Sequence, residues 1–262
     1  MPFSKNELIL DKIRSLVAYD ITSDKMLFRL RSIEEPSLVC TAEGEEVTDA
    51  LGSVITTLYR AKKATFSATN SLISLDLAAA QYGTNKEVAT STNKIVDLTY
   101  EILNVASGDT TVTLSKTPYN SDNILWIYSV IDGEIGTAYE ADTTASATKF
   151  SITSAGVITV PTGFVGKLYV EYEYESENAM RVTNKSSEFP SDCRVVIYAY
   201  FKDKCNDNLT YSGKIICPKA KLNPEQVELA LNTTGKHAFE FKINKNYCDE
   251  TDDELFTIIV AQ

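Results

Sequence analysis

Between Lys94 and Ser176 the chain repeats one device: a short run in which polar and apolar residues alternate, followed by a turn signal. The runs are KIVDLTYEIL, TTVTLS, ILWIYSV, TAYEA, KFSIT, VITVP and KLYVEYEYE, punctuated by SGD, SDN, DGE, SAG and TGF. A period of two sends successive side chains to opposite faces of a strand, and β-branched and aromatic residues suit a pleated surface. This block of about 80 residues is therefore all β, either a small sandwich or a set of elaborated hairpins.

The flanking stretches mix strand and helix signals. Ser4 and Glu7 form an S-x-x-E capping box, Phe3 and Leu8 stand at the staple positions around it, and Ile9, Ile13, Leu16 and Val17 recur at helical spacing. Together they predict an N-terminal helix from Ser4 to about Tyr19. Met26, Phe28 and Leu30 against Arg29 and Arg31 predict a strand stopped by Glu34-Glu35-Pro36, and a second strand follows at Leu38–Thr41. Residues 43–53, EGEEVTDALGS, hold two glycines and four acids and predict an exposed loop. Leu58, Ala64, Phe66 and Ala68 then alternate as a strand. Asn70 or Ser71 caps a short helix to Gly83, with Leu72, Leu75 and Ala79 as its apolar stripe. The last third reads as strands at RVVIYAYF, YSGKIICP and HAFEFKI, an acid-rich turn at 249–254, and an apolar end, LFTIIVA.

Few residues suggest chemistry. In VEYEYESE, Glu171, Glu173, Glu175 and Glu177 share one strand face, with Val170, Tyr172 and Tyr174 on the other. Neighbouring carboxylates on such a face lie about 7 Å apart, between the separations of retaining and inverting glycosidases, and equivalent solvated acids give no reason for one pKa to rise. The row reads as a wet strand face or as the acidic lining of a channel. His237, the sole histidine, has no marked partners and reads as an exposed strand-end residue. Trp126 follows a buried-strand pattern and reads as core, although aromatic residues on β surfaces also stack on sugars. Lys62 and Lys63 read as charged edge residues, and Gly133, Gly136, Gly163 and Gly166 as turn glycines. No catalytic, metal-ligating or cofactor-binding set emerges, so neither an enzyme nor a cofactor is predicted.

Charge narrows the partners. With 36 acids against 25 lysines and arginines, the net charge of -11 argues against gripping a phosphate backbone or an anionic membrane. No apolar run approaches the roughly 18 residues that a membrane span needs. Cys40, Cys193, Cys205, Cys217 and Cys248 form no C-x-x-C pair, which fits reduced thiols in a cytoplasm better than a disulfide framework or a zinc site.

Two segments carry a likeness: AKKATFSATNSLISLDLAAAQYG at 61–83 and SGKIICPKAKLNPEQVELALNTTGKHAFEFKI at 212–243. Their pattern, a strand leading into a short helix and a late hairpin pair with a proline-interrupted strand, resembles the major tail tube proteins of long-tailed bacteriophages. The likeness covers about the first 90 and last 80 residues. It implies a mainly β sandwich or barrel of the tail tube type, with the N-terminal helix and the short flanking helix. That core would be discontinuous, residues 1–93 and 177–262, with residues 94–176 as an inserted all-β block. It further implies a homo-oligomer of stacked, usually six-membered rings that conducts DNA without binding it specifically, joins other tail proteins, avoids membranes, and moves from host cytoplasm to virion tail. On this likeness Glu171, Glu173 and Glu175 are candidate lumen-facing acids, and Glu43, Glu45, Glu46 and Asp49 belong to a candidate inter-ring loop. Two other readings fit the composition: a head-decoration or neck protein, and a carbohydrate-binding module using Trp126.

Overall fold

A computed structural model describes residues 7–225, 227–230, 235–246 and 253–261. Along the chain run β1 (Leu8–Asp20), β2 (Met26–Leu30), β3 (Ile33–Thr48), β4 (Val54–Asn70), helix α1 (Leu75–Tyr82), β5 (Glu87–Val88), β6 (Ile95–Val105), β7 (Thr111–Thr113) and β8 (Trp126–Ile131). Then come β9 (Glu134–Ala141), β10 (Lys149–Ile152), β11 (Val157–Thr159), β12 (Gly166–Ser176), β13 (Met180–Arg181), β14 (Asp192–Asp203), β15 (Asn206–Leu222), β16 (Leu229–Ala230), β17 (Lys236–Ile243) and β18 (Thr257–Ala261). The protein is mainly β, and two compact units share it: Met1–Lys86 with Val182–Gln262, and Glu87–Arg181.

The first unit is built on one antiparallel sheet in the order β2-β1-β14-β15-β17-β4-β3, with β18 added to β15 and β16 to β17. Phe28 on β2 stacks on Phe241 on β17, ring centroids 6.4 Å apart. Those strands are four steps apart, about 19 Å in a flat sheet at ~4.8 Å per step, so the sheet is rolled around its own inner face. That face holds Leu16, Ala18, Phe28, Leu30, Val195, Ile197, Ala64, Phe66, Ala68, Phe239, Phe241 and Ile243. The expected alternation of Ala64, Phe66 and Ala68 is present, but Leu58 lies beyond the core and is exposed.

The expected N-terminal helix is not there. Residues Leu8–Asp20 form β1, paired with β14 along its length and with β2 near its end; Phe3 and Ser4 lie outside the described residues. Register shifts between Leu10 and Lys12 and between Ile13 and Ser15 explain the misreading. Each extra residue swaps the faces, so Ile13 and Leu16, three residues apart across the second shift, share the inner face as helical spacing would have them do, while Ile9 is exposed. Ser15–Ala18 are then buried on both faces, which erases the period of two.

Helix α1 ends as expected at Gly83, which has a positive φ of 72° and donates its N–H toward the Ala79 and Ala80 carbonyls. Its cap, however, is Ser74, whose Oγ accepts from Leu77 N–H at 3.3 Å. Asn70 and Ser71 instead donate to the carbonyls of Leu72 and Ser32. The buried face is Leu77, Ala78, Ala79 and Gln81, while Leu72 and Leu75 are exposed.

His237, expected at the surface, is fully buried beneath α1. Its Nδ1 accepts from the Ser74 N–H at 3.3 Å, so Nε2 carries the proton and donates to Gln81 Oε1 at 2.5 Å; Gln81 Nε2 in turn donates to the Ala238 carbonyl. Burial lowers the His237 pKa from 6.5 to about 4. The folded state thus binds its proton less readily than the unfolded chain. His237 contributes fully above pH 6.5, and that contribution, about 3 kcal/mol, is lost as pH falls from 6.5 toward 4. Urea unfolding of the wild type should weaken more steeply over this window than that of His237→Asn, which keeps an acceptor but does not titrate. Parallel pH profiles would refute the assignment.

The second unit contains a seven-stranded sheet in the order β6-β12-β8-β9-β10-β11-β7, and the small pair β5–β13. Pairings are antiparallel except β9 with β10. The two ends of this sheet also meet. Glu101 on β6 accepts from the backbone N–H and the Oγ of Ser115, just past β7, and from Tyr172 OH. Burial pushes the Glu101 carboxyl up, but the hydrogen bonds from Ser115 and Tyr172 outweigh it and hold it below the usual range. The sheet is thus nearly closed, its seam bridged by side chains. Val105, Ile127, Phe150, Ile158, Leu168 and Val170 are among the residues filling it. Trp126, expected in this core, lies outside it at 47 % exposure, because Ile127 and Ser129 take the inward phase of β8.

Candidate functional site

Residues 43–53 are not the expected loop. Most belong to a long hairpin in which Glu43–Thr48 pair with Val54–Arg60, and only the turn at 49–53 is irregular. Asp49 builds that turn: its Oδ1 accepts from the Leu51 and Ser53 N–H groups at 2.9 and 2.8 Å, and Gly52 takes the positive φ of 84°. β17 pairs with β4 only as far as Ala64, so beyond that point β3 and β4 have no other strand beside them among the described residues. At ~3.3 Å per residue the β3 side of the free arm, Thr41–Thr48, is about 26 Å long.

Among the described residues nothing buries this arm. Leu51 is 92 % exposed, and Val54, Ile55, Leu58 and Tyr59 are exposed too. Isolated two-stranded ribbons are marginal in water, and the ion pairs across this one, Glu43–Lys63 at 2.8 Å and Glu45–Arg60 at 3.7 Å, are surface pairs that add little. An apolar tip on an unsupported ribbon is the kind of exposed surface that serves in contacts between molecules. Glu43, Glu45 and Glu46 lie on the β3 side of the arm and Asp49 at its turn.

The rolled sheet also has free edges. Among the described residues β3 has β4 on one side and no strand on the other, β2 has only β1, and Leu8–Ser15 of β1 has only β14. Such edges expose rows of unpaired N–H and C=O groups that another chain can satisfy.

The acid row lies where alternation put it. Glu171, Glu173 and Glu175 are exposed on β12, opposite buried Val170 and Tyr172. Glu171 accepts from Tyr169 OH at 2.8 Å, and Lys94 stands 3.9 Å from Glu175 and 3.2 Å from Glu177. All of them belong to the second unit, away from the arm's own unit in sequence. Beside the row, Tyr100 and Tyr169 stack at 5.4 Å and Tyr128 and Trp126 continue the same outer face, a cluster that alternation alone did not single out.

The four described cysteines are free. Burial pushes the Cys193 and Cys217 thiols up to about 12, which leaves them as core packing groups; Cys40 and Cys205 are exposed, and Cys248 lies outside the described residues.

The model of the YomU/Tube protein family matches residues 9–255. No curated protein matches the chain.

Proposed function

Because the chain belongs to the YomU/Tube protein family, we propose that it is the subunit of a phage tail tube, assembling into stacked, six-membered rings through which DNA leaves the virion. The observation that carries this reading is the rolled sheet of the first unit, open along β3 at one end and along β2 and β1 at the other. Two different edges on one subunit make a head-to-tail contact, and such contacts close into rings when the rotation permits. The work is structural, done by shape and repetition, with no catalytic step, no cofactor and no membrane contact. The protein would assemble with other tail proteins in the host cytoplasm and end in the virion tail.

On this reading residues 1–93 and 177–262 make the tube core and residues 94–176 are an added block. Electron microscopy of concentrated, purified protein should show hollow tubes with a regular ring repeat. Strict monomers, or closed trimers of the kind expected of a head-decoration protein, would overturn the reading.

An acidic wall suits transit, since it repels duplex DNA weakly and keeps it central, where a basic wall would hold it by counterion release. Glu171, Glu173 and Glu175 would serve as such a wall if the second unit faces the axis. Replacing all three by lysine should then leave tubes intact and cut DNA delivery about tenfold or more. Undiminished delivery would remove this row from the channel.

The exposed Trp126 supports a second role for the added block, carbohydrate binding on its aromatic face. Glycan retention that vanishes in Trp126→Ala would establish it.

A further inference from the structure

In a chain with net charge -11, the outer face of β2, β1, β14 and β15 is basic and aromatic. Lys12 and Arg14 lie over the Tyr200 ring, Arg194 over Tyr19 and Lys214 over Tyr198. Arg194 pairs with Asp24 at 2.8 Å and Lys202 with Asp11 at 3.4 Å, which leaves Lys12, Arg14, Arg29 and Lys214 with no acid partner among the described residues. Arg14 and Arg29 flank a groove of about 320 Å³ floored by Val17 and Tyr198, with exposed Met26 at its rim. The groove offers two guanidinium forks, suited to carboxylates, beside apolar surface.

The hairpin arm is its chemical complement. Its β3 strand and turn, residues 43–49, carry four carboxylates; Glu43 and Glu45 pair with Lys63 and Arg60 on β4, and Glu46 and Asp49 have no cation beside them among the described residues. The tip adds exposed Leu51, Val54 and Ile55, apolar groups that match exposed Met26 at the groove's rim as the acids match the arginines. We propose that the β3–β4 arm of one copy docks its acidic strand and apolar tip in the Arg14–Arg29 groove of a second copy of this chain. This inference rests on the tube reading and names the contact that joins its subunits. Opposite charge selects the partner and speeds encounter, and burial of the tip holds it.

The test is a charge exchange in the full-length protein. Arg14→Glu with Arg29→Glu, and separately Glu45→Arg with Glu46→Arg, change exposed side chains, so both variants should keep the wild-type thermal midpoint. Each should reduce tube formation about tenfold or more, as the loss of interfacial charge pairs does, and the four changes combined should restore it. Wild-type tubes should also dissociate as salt rises. Wild-type protein that forms tubes while both variants assemble equally well would overturn the docking and leave the tube reading standing. Failure of the combined variant to recover would overturn it too. Variants that assemble normally but lose retention of duplex DNA would assign the groove to nucleic acid instead. Wild-type protein that forms no tube at all would remove the tube reading itself.

Discussion

Replacing Phe241 by alanine should destabilise the first unit by about 3–5 kcal/mol, the range for truncating a core phenylalanine that its surroundings cannot collapse around. The residue is 1 % exposed. Its ring stacks on Phe28 at 6.4 Å with 14° between planes and meets Phe239 edge-on at 5.8 Å, so the change empties the contact by which the rolled sheet closes on itself. The second unit has its own core around Phe150 and Ile127, and the protein's one tryptophan, Trp126, reports on that unit. Circular dichroism at the β signal should therefore show an early transition in Phe241→Ala while the tryptophan fluorescence midpoint stays near that of the wild type. A loss of under about 1 kcal/mol would mean that the inner face is not packed as described.

Gly83→Ala should cost about 3 kcal/mol or more, from two separable causes. The first is the left-handed backbone, φ 72°, which a side chain tolerates at about 1 kcal/mol. The second is room: a Cβ there would meet the Phe189 carbonyl oxygen at 2.2 Å and its nitrogen at 2.8 Å, backbone atoms that cannot swing aside. Gly52 supplies the control. Its φ is 84° but nothing lies within 4 Å of its would-be Cβ, so Gly52→Ala should show the conformational cost alone. If urea midpoints put the two variants level, the close approach of residue 189 to the end of α1 is wrong. If Gly83→Ala is the weaker by the expected margin, α1 should also release His237, and amide exchange at Leu77 and Ala78 should accelerate.

Strand content was legible wherever one face of a strand is wet and the other dry. Met26–Leu30, Ala64–Ala68 and Gly166–Ser176 all show it, and the buried residues are ones alternation selects, although Met26, also placed on the dry face, is exposed. Legibility failed where that contrast vanishes. β1 carries two register shifts and a stretch buried on both faces, so its apolar spacing imitates a helix next to a plausible capping box. The arm failed for the opposite reason: both faces are exposed, so its glycines and acids look like a loop although backbone pairing holds it as strands. Trp126 was misplaced by one step of phase within ILWIYSV, where apolar residues on both faces leave the inward set undefined. His237 could not be read at all, because its partners Ser74 and Gln81 are more than 150 positions away and reach it only once α1 docks. The Arg14–Arg29 groove is likewise a product of pairing, since it joins two strands that are ordinary in isolation.

The order of synthesis gives the chain's layout a further meaning. Everything the second unit needs has been synthesised once residue 181 is made, whereas β1 must wait for β14, which ends at Asp203. Early folding of residues 87–181 brings their two ends together through the β5–β13 pair and the Arg181–Glu87 ion pair at 2.7 Å. That removes more than half of the chain between β1 and β14 from the loop to be closed, a gain of about 0.6 kcal/mol for a halving. The larger effect is on time. While the nascent chain lengthens, the β1–β2 hairpin stands with the β14 side of β1 bare, an open strand edge that persists until Asp203 has been added.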